Sequence, residues 1–229
     1  MRRHLAAADA DLAALIERVG RCGLRVDRSR EPYEALVRAI AHQQLHGRAA
    51  EAILGRMITL LAPKPGPLIP KPGHLDSEGP AGPPPPPASP DRAFPSPAHL
   101  LAADPAALRA CGFSMSKIGA IRTVAQAAQA GLVPSRGRAA RLADEVLIER
   151  LTSLRGIGRW TVEMLLIFSL GRPDIMPVDD FGVREGYRRM KGLDAQPRPR
   201  ELARLCAPWS PYRSAAAWYL WRGAETLTP

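Results

Sequence analysis

The sequence predicts an all-α protein of two lobes with a cleft between them. Three observations predict it. Apolar residues recur at helical spacing along nearly the whole chain, and no run alternates as a half-buried strand would. Proline, serine, aspartate and glycine stand where such helices begin and end. The stretch from Leu151 to Asp180 joins two apolar helical segments through Arg155-Gly156-Ile157-Gly158, a tight hairpin between two helices.

Taken in order, residues 4–20 place Leu5, Leu12, Leu15, Ile16 and Val19 on one helical stripe, so one helix is expected there, ended by Gly20 and Gly23. Pro32 suits the first turn of the next helix, which turns Leu36, Val37 and Ile40 inward. His42, read as structural, Gln43, Gln44, Leu45 and His46 then form a polar junction that, by composition alone, is a helix cap with two surface histidines. Residues 49–61 are again amphipathic, with Ile53, Leu54, Met57, Leu60 and Leu61. From Pro63 to Pro97 proline and glycine dominate, with an unbroken run at Pro83–Pro87. No core can be built from that composition, and it reads as an extended insertion between two helices rather than a domain or an adaptor ligand.

Helical patterning resumes at Ala98. Asp104 is expected to cap a helix with Pro105 at its first position. Ser116 is read as the cap of the helix carrying Ile118, Ile121 and Val124, which stops at Gly131. Lys117 and Arg122 face either a phosphate or solvent. Asp144 is read as the cap of the first hairpin helix, residues 145–153. Behind Pro177 and Val178 come Asp179 and Asp180, then a basic helix over 181–191 with Phe181, Val183, Tyr187 and Met190 on an apolar side. The last helix spans Ala215 to Arg222 and carries Trp218, Tyr219 and Trp221; Trp209 and Trp218 are assigned to the core.

A formal charge of +10 favours a polyanionic partner but does not by itself separate nucleic acid from a membrane surface. Cys22, Cys111 and Cys206 are odd in number and far apart, so no disulfide framework follows and a reducing compartment is the simple reading. No Cys-x-x-Cys is present. Asp9 and Asp11 interrupt the apolar start, against a secretory signal, and no apolar run is long enough to span a bilayer.

The hairpin is the centre of the functional reading. Glycine at alternate positions permits positive φ and close backbone approach. The second helix starts directly after Gly158, so its unpaired amides and positive dipole end form a ready phosphate site. Asp180 sits at or beside another helix start, where an ionised carboxylate is favoured, with Asp179 the expected N-cap.

The hairpin, Trp160 and the spaced acid pair together resemble the helix-hairpin-helix DNA glycosylases, and within them the 3-methyladenine DNA glycosylase II family. That family carries Leu-x-Gly-Ile-Gly-x-Trp-Thr and then Pro-x-Asp-Asp, matched here by Leu154, Gly156, Ile157, Gly158, Trp160 and Thr161, and by Pro177, Asp179 and Asp180. The resemblance implies the two-lobed glycosylase fold, with 1–30 and 176–229 forming one lobe and 31–175 the other, the 152–160 hairpin and the 63–97 insertion lying within the second. It implies Asp180 as the catalytic carboxylate and a base pocket of Trp160, Met164, Phe181 and Trp221. Trp160 lines that pocket or packs beside it, and Met164 stands where the family often has tyrosine. It implies that Gln44 plugs the gap left by a flipped base, Leu45 wedges the opposite strand and His46 touches the minor groove. Gly156, Gly158 and Thr161 would bind phosphate through backbone amides, and carbonyls around Thr152, Leu154 and Ile157 would hold a structural monovalent cation, Na+ or K+. No other cofactor is expected, and no iron–sulfur cluster, since Cys206 stands alone near the C-terminus.

The implied reaction is hydrolysis of the N-glycosidic bond of an alkylated purine, of the 3-methyladenine or 7-methylguanine type, leaving an abasic site. Bifunctional glycosylase-lyases of this superfamily have lysine at the position of Trp160. Tryptophan cannot form a Schiff base, so lyase activity is not expected. The implied partner is double-stranded DNA carrying alkylated bases, met by a monomer without membrane attachment in the cytoplasm at the nucleoid, or in the nucleus of a eukaryote. The alternatives are a non-catalytic helix-hairpin-helix module that binds damaged DNA and needs no carboxylate at Asp180, and a glycosylase-lyase for oxidised bases, which Trp160 argues against. A basic adaptor recruited through the proline tract is a third.

Overall fold

The structure, a computed structural model, describes residues 1–45, 47–61 and 94–227. His46 and nearly all of the proline-rich insertion lie outside the described residues. Every regular element among those described is helical. In order these are α1 (Arg2–Ala8), α2 (Ala10–Val19), α3 (Pro32–His42), α4 (Gly47–Leu61), α5 (Pro97–Ala102), α6 (Pro105–Ala110), α7 (Met115–Gln129), α8 (Arg136–Ala139), α9 (Asp144–Thr152), α10 (Arg159–Leu165), α11 (Phe181–Lys191), α12 (Pro199–Leu205) and α13 (Arg213–Thr226). A π-helical turn, Leu166–Leu170, prolongs α10, and a 3-10 turn, Ala207–Trp209, precedes α13.

Two hydrophobic cores result. One is built from α3 to the π turn and includes Leu36, Ile40, Leu54, Val124, Leu151 and Val162. The other joins the chain's two ends and includes Leu5, Leu12, Val183, Trp209, Tyr219 and Leu220. The chain passes between them twice: between Cys22, packed on the second core, and Leu24, packed on the first, and again at the peptide bond from Ile175 of the first core to Met176 of the second. Trp221 packs against both. In the second core α11 lies against α13, and Gly186 permits this, since a Cβ there would collide with the Leu220 carbonyl.

Capping signals placed several helices. Pro32 opens α3, and Asp104 caps α6 by accepting the Ala106 amide at 3.0 Å. Three expectations are corrected. Residues 4–20 form two helices, because Asp9 adopts an extended backbone and its carboxylate accepts the Asp11 and Leu12 amides; a strong internal cap breaks a continuous apolar stripe. Ser114, not Ser116, caps α7, accepting the Lys117 amide at 3.3 Å. Asp144 is the first residue of α9 and caps nothing; its carboxylate lies 2.9 Å from the Arg172 guanidinium.

Much of the positive charge is engaged internally. On α11, Arg188 and Arg189 both bond Glu185, and hydrogen bonds from Arg188, the Gln196 amide and Arg189 hold its carboxyl well below the usual carboxylate range. Lys191 pairs with Asp9 and Asp11 of the first two helices. The basic helix is therefore chiefly a clasp for its own lobe. No described helix is long and apolar enough to cross a membrane.

Candidate active site

The site is assembled at the seam between the cores. Asp180 is the N-cap of α11, and Oδ1 accepts the Val183 amide at 2.8 Å. This corrects the assignment of the cap to Asp179, which is exposed and caps nothing. Oδ1 also accepts the Trp221 indole N–H at 2.8 Å, and Oδ2 accepts the Trp160 indole N–H at 2.7 Å. One indole comes from α10 of the first core and the other from α13 of the second.

Three N–H donors thus face one carboxylate, two on Oδ1 and one on Oδ2. A carboxylate offers about four acceptor sites, so Oδ2 keeps one for an incoming group. Gly182 leaves room for the arrangement: a Cβ there would stand 2.9 Å from Trp221 Cδ1 and 3.2 Å from Asp180 Oδ1.

The aromatic surroundings differ in part from expectation. Phe181 is 72% exposed and pairs with no other aromatic ring among the described residues. Phe168, from the π turn, stacks instead on Trp221, with centroids 5.6 Å apart and planes at 26°. Met164 is half-buried and, with Phe168 and Trp221, packs on the first core. The sequence did carry a signal for Phe168, which lies two helical turns beyond Trp160 on the same helix. Two surface concavities, of about 530 and 610 Å³, lie elsewhere, and none of Trp160, Met164, Phe181 or Trp221 lines either.

The hairpin is held by a close approach. Gly156 has φ +86°, and a Cβ would come 2.6 Å from Ala120 Cβ on α7. Gly158 is the N-cap of α10 with no side-chain cap, and a Cβ there would meet nothing within 4 Å. Open space thus lies beside Gly158, at the N-terminal end of α10. Thr161 is not available to that phosphate: its amide donates to the Gly158 carbonyl at 3.0 Å, and its buried hydroxyl accepts from Gln43 at 2.9 Å. Arg155 is exposed at the hairpin tip.

Glu163, three residues beyond Trp160, is buried. Oε1 pairs with Arg159 at 3.1 Å and Oε2 has no partner among the described residues. Burial pushes its carboxyl up to about 7 against the pull of Arg159, with Asp179 adding to the rise. Sequence reasoning did not single it out.

Gln44 and Leu45 follow α3 and are exposed, Leu45 by 40%. Gln44 takes φ +54°, a left-handed conformation uncommon outside glycine. His42 bonds Glu51 at 3.0 Å, spanning α3 and α4. The two cations left open by sequence are both engaged: Lys117 Nζ donates to the Ala41 and Gln43 carbonyls, and Arg122 to those of Leu101 and Ala103. Among the described residues no group of three or more metal-ligating side chains occurs.

The family model for HhH-GPD superfamily base excision DNA repair proteins matches residues 37–211. The chain belongs to that superfamily. Within it, the chain is similar to DNA-3-methyladenine glycosylase 1 of Schizosaccharomyces pombe, 40% identical over 225 residues, covering 97% of this chain and 86% of the relative. The solved structure of the 3-methyladenine DNA glycosylase of that yeast in complex with abasic DNA superposes with a TM-score of 0.79, covering 96% of this chain and 94% of that one. A DNA-3-methyladenine glycosidase structure from Bacillus halodurans gives 0.72 at 30% identity, covering 98% and 88%. For a superfamily member, the junction of two lobes through Asp180, Trp160 and Trp221 is the place to look for chemistry.

Proposed function

We propose that this protein is a monofunctional DNA glycosylase that removes alkylated purines, of the 3-methyladenine and 7-methylguanine type, from double-stranded DNA in base excision repair. The names of its relatives point to that substrate class. The observation that carries the mechanism is the Asp180 carboxylate, held by three N–H donors at 2.7–2.8 Å.

Such a carboxylate is placed as an acceptor, with three donors aimed at it. It suits a substrate whose leaving group needs no acid. An alkylated purine of this type is already cationic, so when the bond between C1′ and the ring nitrogen breaks, the electron pair leaves with the base, which departs neutral. Positive charge develops on the sugar, and Asp180, beside it, stabilises that charge. Water then adds at C1′ and its proton passes to the carboxylate or to solvent, leaving an abasic site.

A lyase step would need a nearby amine. Among the described residues the two lysines are engaged elsewhere, Lys117 with the Ala41 and Gln43 carbonyls and Lys191, at the opposite end of α11 from Asp180, with the carboxylates of Asp9 and Asp11. Borohydride treatment during turnover should therefore trap no covalent protein–DNA adduct.

Gln44 and Leu45 enter the minor groove in this reading, while Gly156, Gly158 and the first amides of α10 take a phosphate beside the lesion. His46 would join the groove contact. The carbonyls of Thr152, Leu154 and Ile157 would supply neutral oxygen donors of the kind that suits Na+ or K+, and the ion would only stiffen the turn. No other cofactor is needed. The protein works as a monomer where its DNA lies, in the cytoplasm at a nucleoid, or in a nucleus.

The test is chromatography of bases released from methylated DNA. The wild type should release 3-methyladenine and 7-methylguanine, and Asp180→Asn should not. Full-rate release by that variant would remove Asp180 from the chemistry.

A further inference from the structure

The polar loop after α3 is built in an unusual way. The last carbonyls of a helix lack helical partners, and here those of Ala41 and Gln43 both accept from Lys117 Nζ, at 2.9 and 2.7 Å. Lys117 comes from α7, 76 residues along the chain from Ala41. A cation at that end of α3 also suits the helix dipole. On its other side Gln43 is held by its side chain, which donates to Thr161 Oγ1 at 2.9 Å. Thr161 lies in the first turn of α10, next to Trp160, whose indole holds Asp180.

Gln43 is thus gripped through its main chain by α7 and through its side chain by α10. The next residue, Gln44, takes φ +54°, and Leu45 then stands exposed. A non-glycine residue in that region costs on the order of 1–3 kcal/mol and persists only where its surroundings hold it. The two bonds on Gln43 are that hold.

The geometry points to Lys117 and the Gln43–Thr161 bond as a clamp that sets the Gln44–Leu45 wedge before DNA arrives and ties it to the helix bearing Trp160. This rests on the reading of Gln44 and Leu45 as the residues that enter the groove. Lys117 is then a positioning residue and not a phosphate ligand. Its effect is on base extrusion, because a loop ordered in advance loses less freedom on binding. It does not act on bond cleavage once the base is out.

Two substrates separate these steps. One is a duplex with 7-methylguanine paired to cytosine; in the other the same nucleotide forms a one-nucleotide bulge, where unstacking and unpairing cost less. Single-turnover excision is compared for wild type, Lys117→Met, Thr161→Val and Leu45→Ala. Lys117→Met should slow the paired substrate about tenfold or more and the bulge by less than about threefold, a difference within the strain the clamp holds. Thr161→Val, which buries no charge and keeps its shape, should show a smaller split of the same sign, and it carries the test if Lys117→Met does not fold. Equal slowing on both substrates, or unchanged paired excision in both clamp variants, overturns the clamp. Leu45→Ala distinguishes the two failures. A split for Leu45→Ala without one for the clamp variants sinks the clamp alone. No split for Leu45→Ala sinks the wedge reading and the clamp with it.

Discussion

Two helix starts, those of α10 and α11, face the same region and are finished in opposite ways. Helix α10 begins behind Gly158, with no side-chain cap and open space where a Cβ on that glycine would stand. Helix α11 begins behind Asp180, whose carboxylate already takes the Val183 amide. Both present the positive end of a helix. One leaves that end for an anion from outside, and the other uses it to hold an anion of its own. A helix terminus is therefore not a site by itself; what occupies its first amides decides whether it binds a ligand or positions a reagent.

The largest test of the contrast is Asp180→Asn. Asparagine still caps a helix, but its amide nitrogen cannot accept the Trp160 indole N–H, so the thermal midpoint should fall by only a few degrees, whereas base release should fall by about a hundredfold or more. A variant losing stability and activity in step would make Asp180 a cap and nothing else.

Next come the two hairpin glycines, which should separate. Gly156→Ala forces a side chain into positive φ against Ala120 and should cost about 2–3 kcal/mol in chemical denaturation. Gly158→Ala meets open space at φ −90°, so it should fold normally and bind a lesion-free duplex several-fold more weakly in a titration at fixed salt.

Glu163 sharpens the comparison by showing what an imperfectly placed acid does near α10. Its folded-state carboxyl is raised from 4.5 to about 7, so the folded protein holds a proton that the unfolded chain releases. Its stabilising share is full below pH 4.5 and is lost as pH rises to about 7, roughly 3 kcal/mol in all. Stability measured across that range should decline in the wild type relative to Glu163→Gln. Parallel curves would mean that Glu163 titrates alike in the folded and unfolded chains.

The smallest effect is expected at Gly182→Ala. Alanine favours a helix more than glycine, yet its Cβ would press on Trp221 and Asp180. The turnover rate should fall about tenfold with KM unchanged, read from initial rates, if the Trp221 bond orients the carboxylate.

The sequence was legible where structure is local. Pro32, Asp104 and the hairpin glycines each act within one turn, and apolar spacing placed nearly every helix of the cores. It was less legible where neighbours compete. Ser114 and Ser116, or Asp179 and Asp180, differ only in which residue is extended, a property of the turn before them. Asp9 broke a helix that its apolar residues continued. Contacts across the fold were not legible. Nothing local says that Lys117 reaches α3, that Phe168 and not Phe181 stacks on Trp221, or that the Thr161 hydroxyl faces Gln43. At the site, Asp180 and Trp160 were marked by the motif and Trp221 by the family resemblance, and the three come together, but neither stated that both indoles share one carboxylate.

That shared acceptor, with Trp221 wedged into both cores, has a consequence for cooperativity. Neither half can melt without stripping an indole partner from a half-buried charge, so each inherits the other's resistance to heat. The reactive centre doubles as the rivet between the halves, and weakening the rivet for the sake of catalysis would loosen the whole molecule.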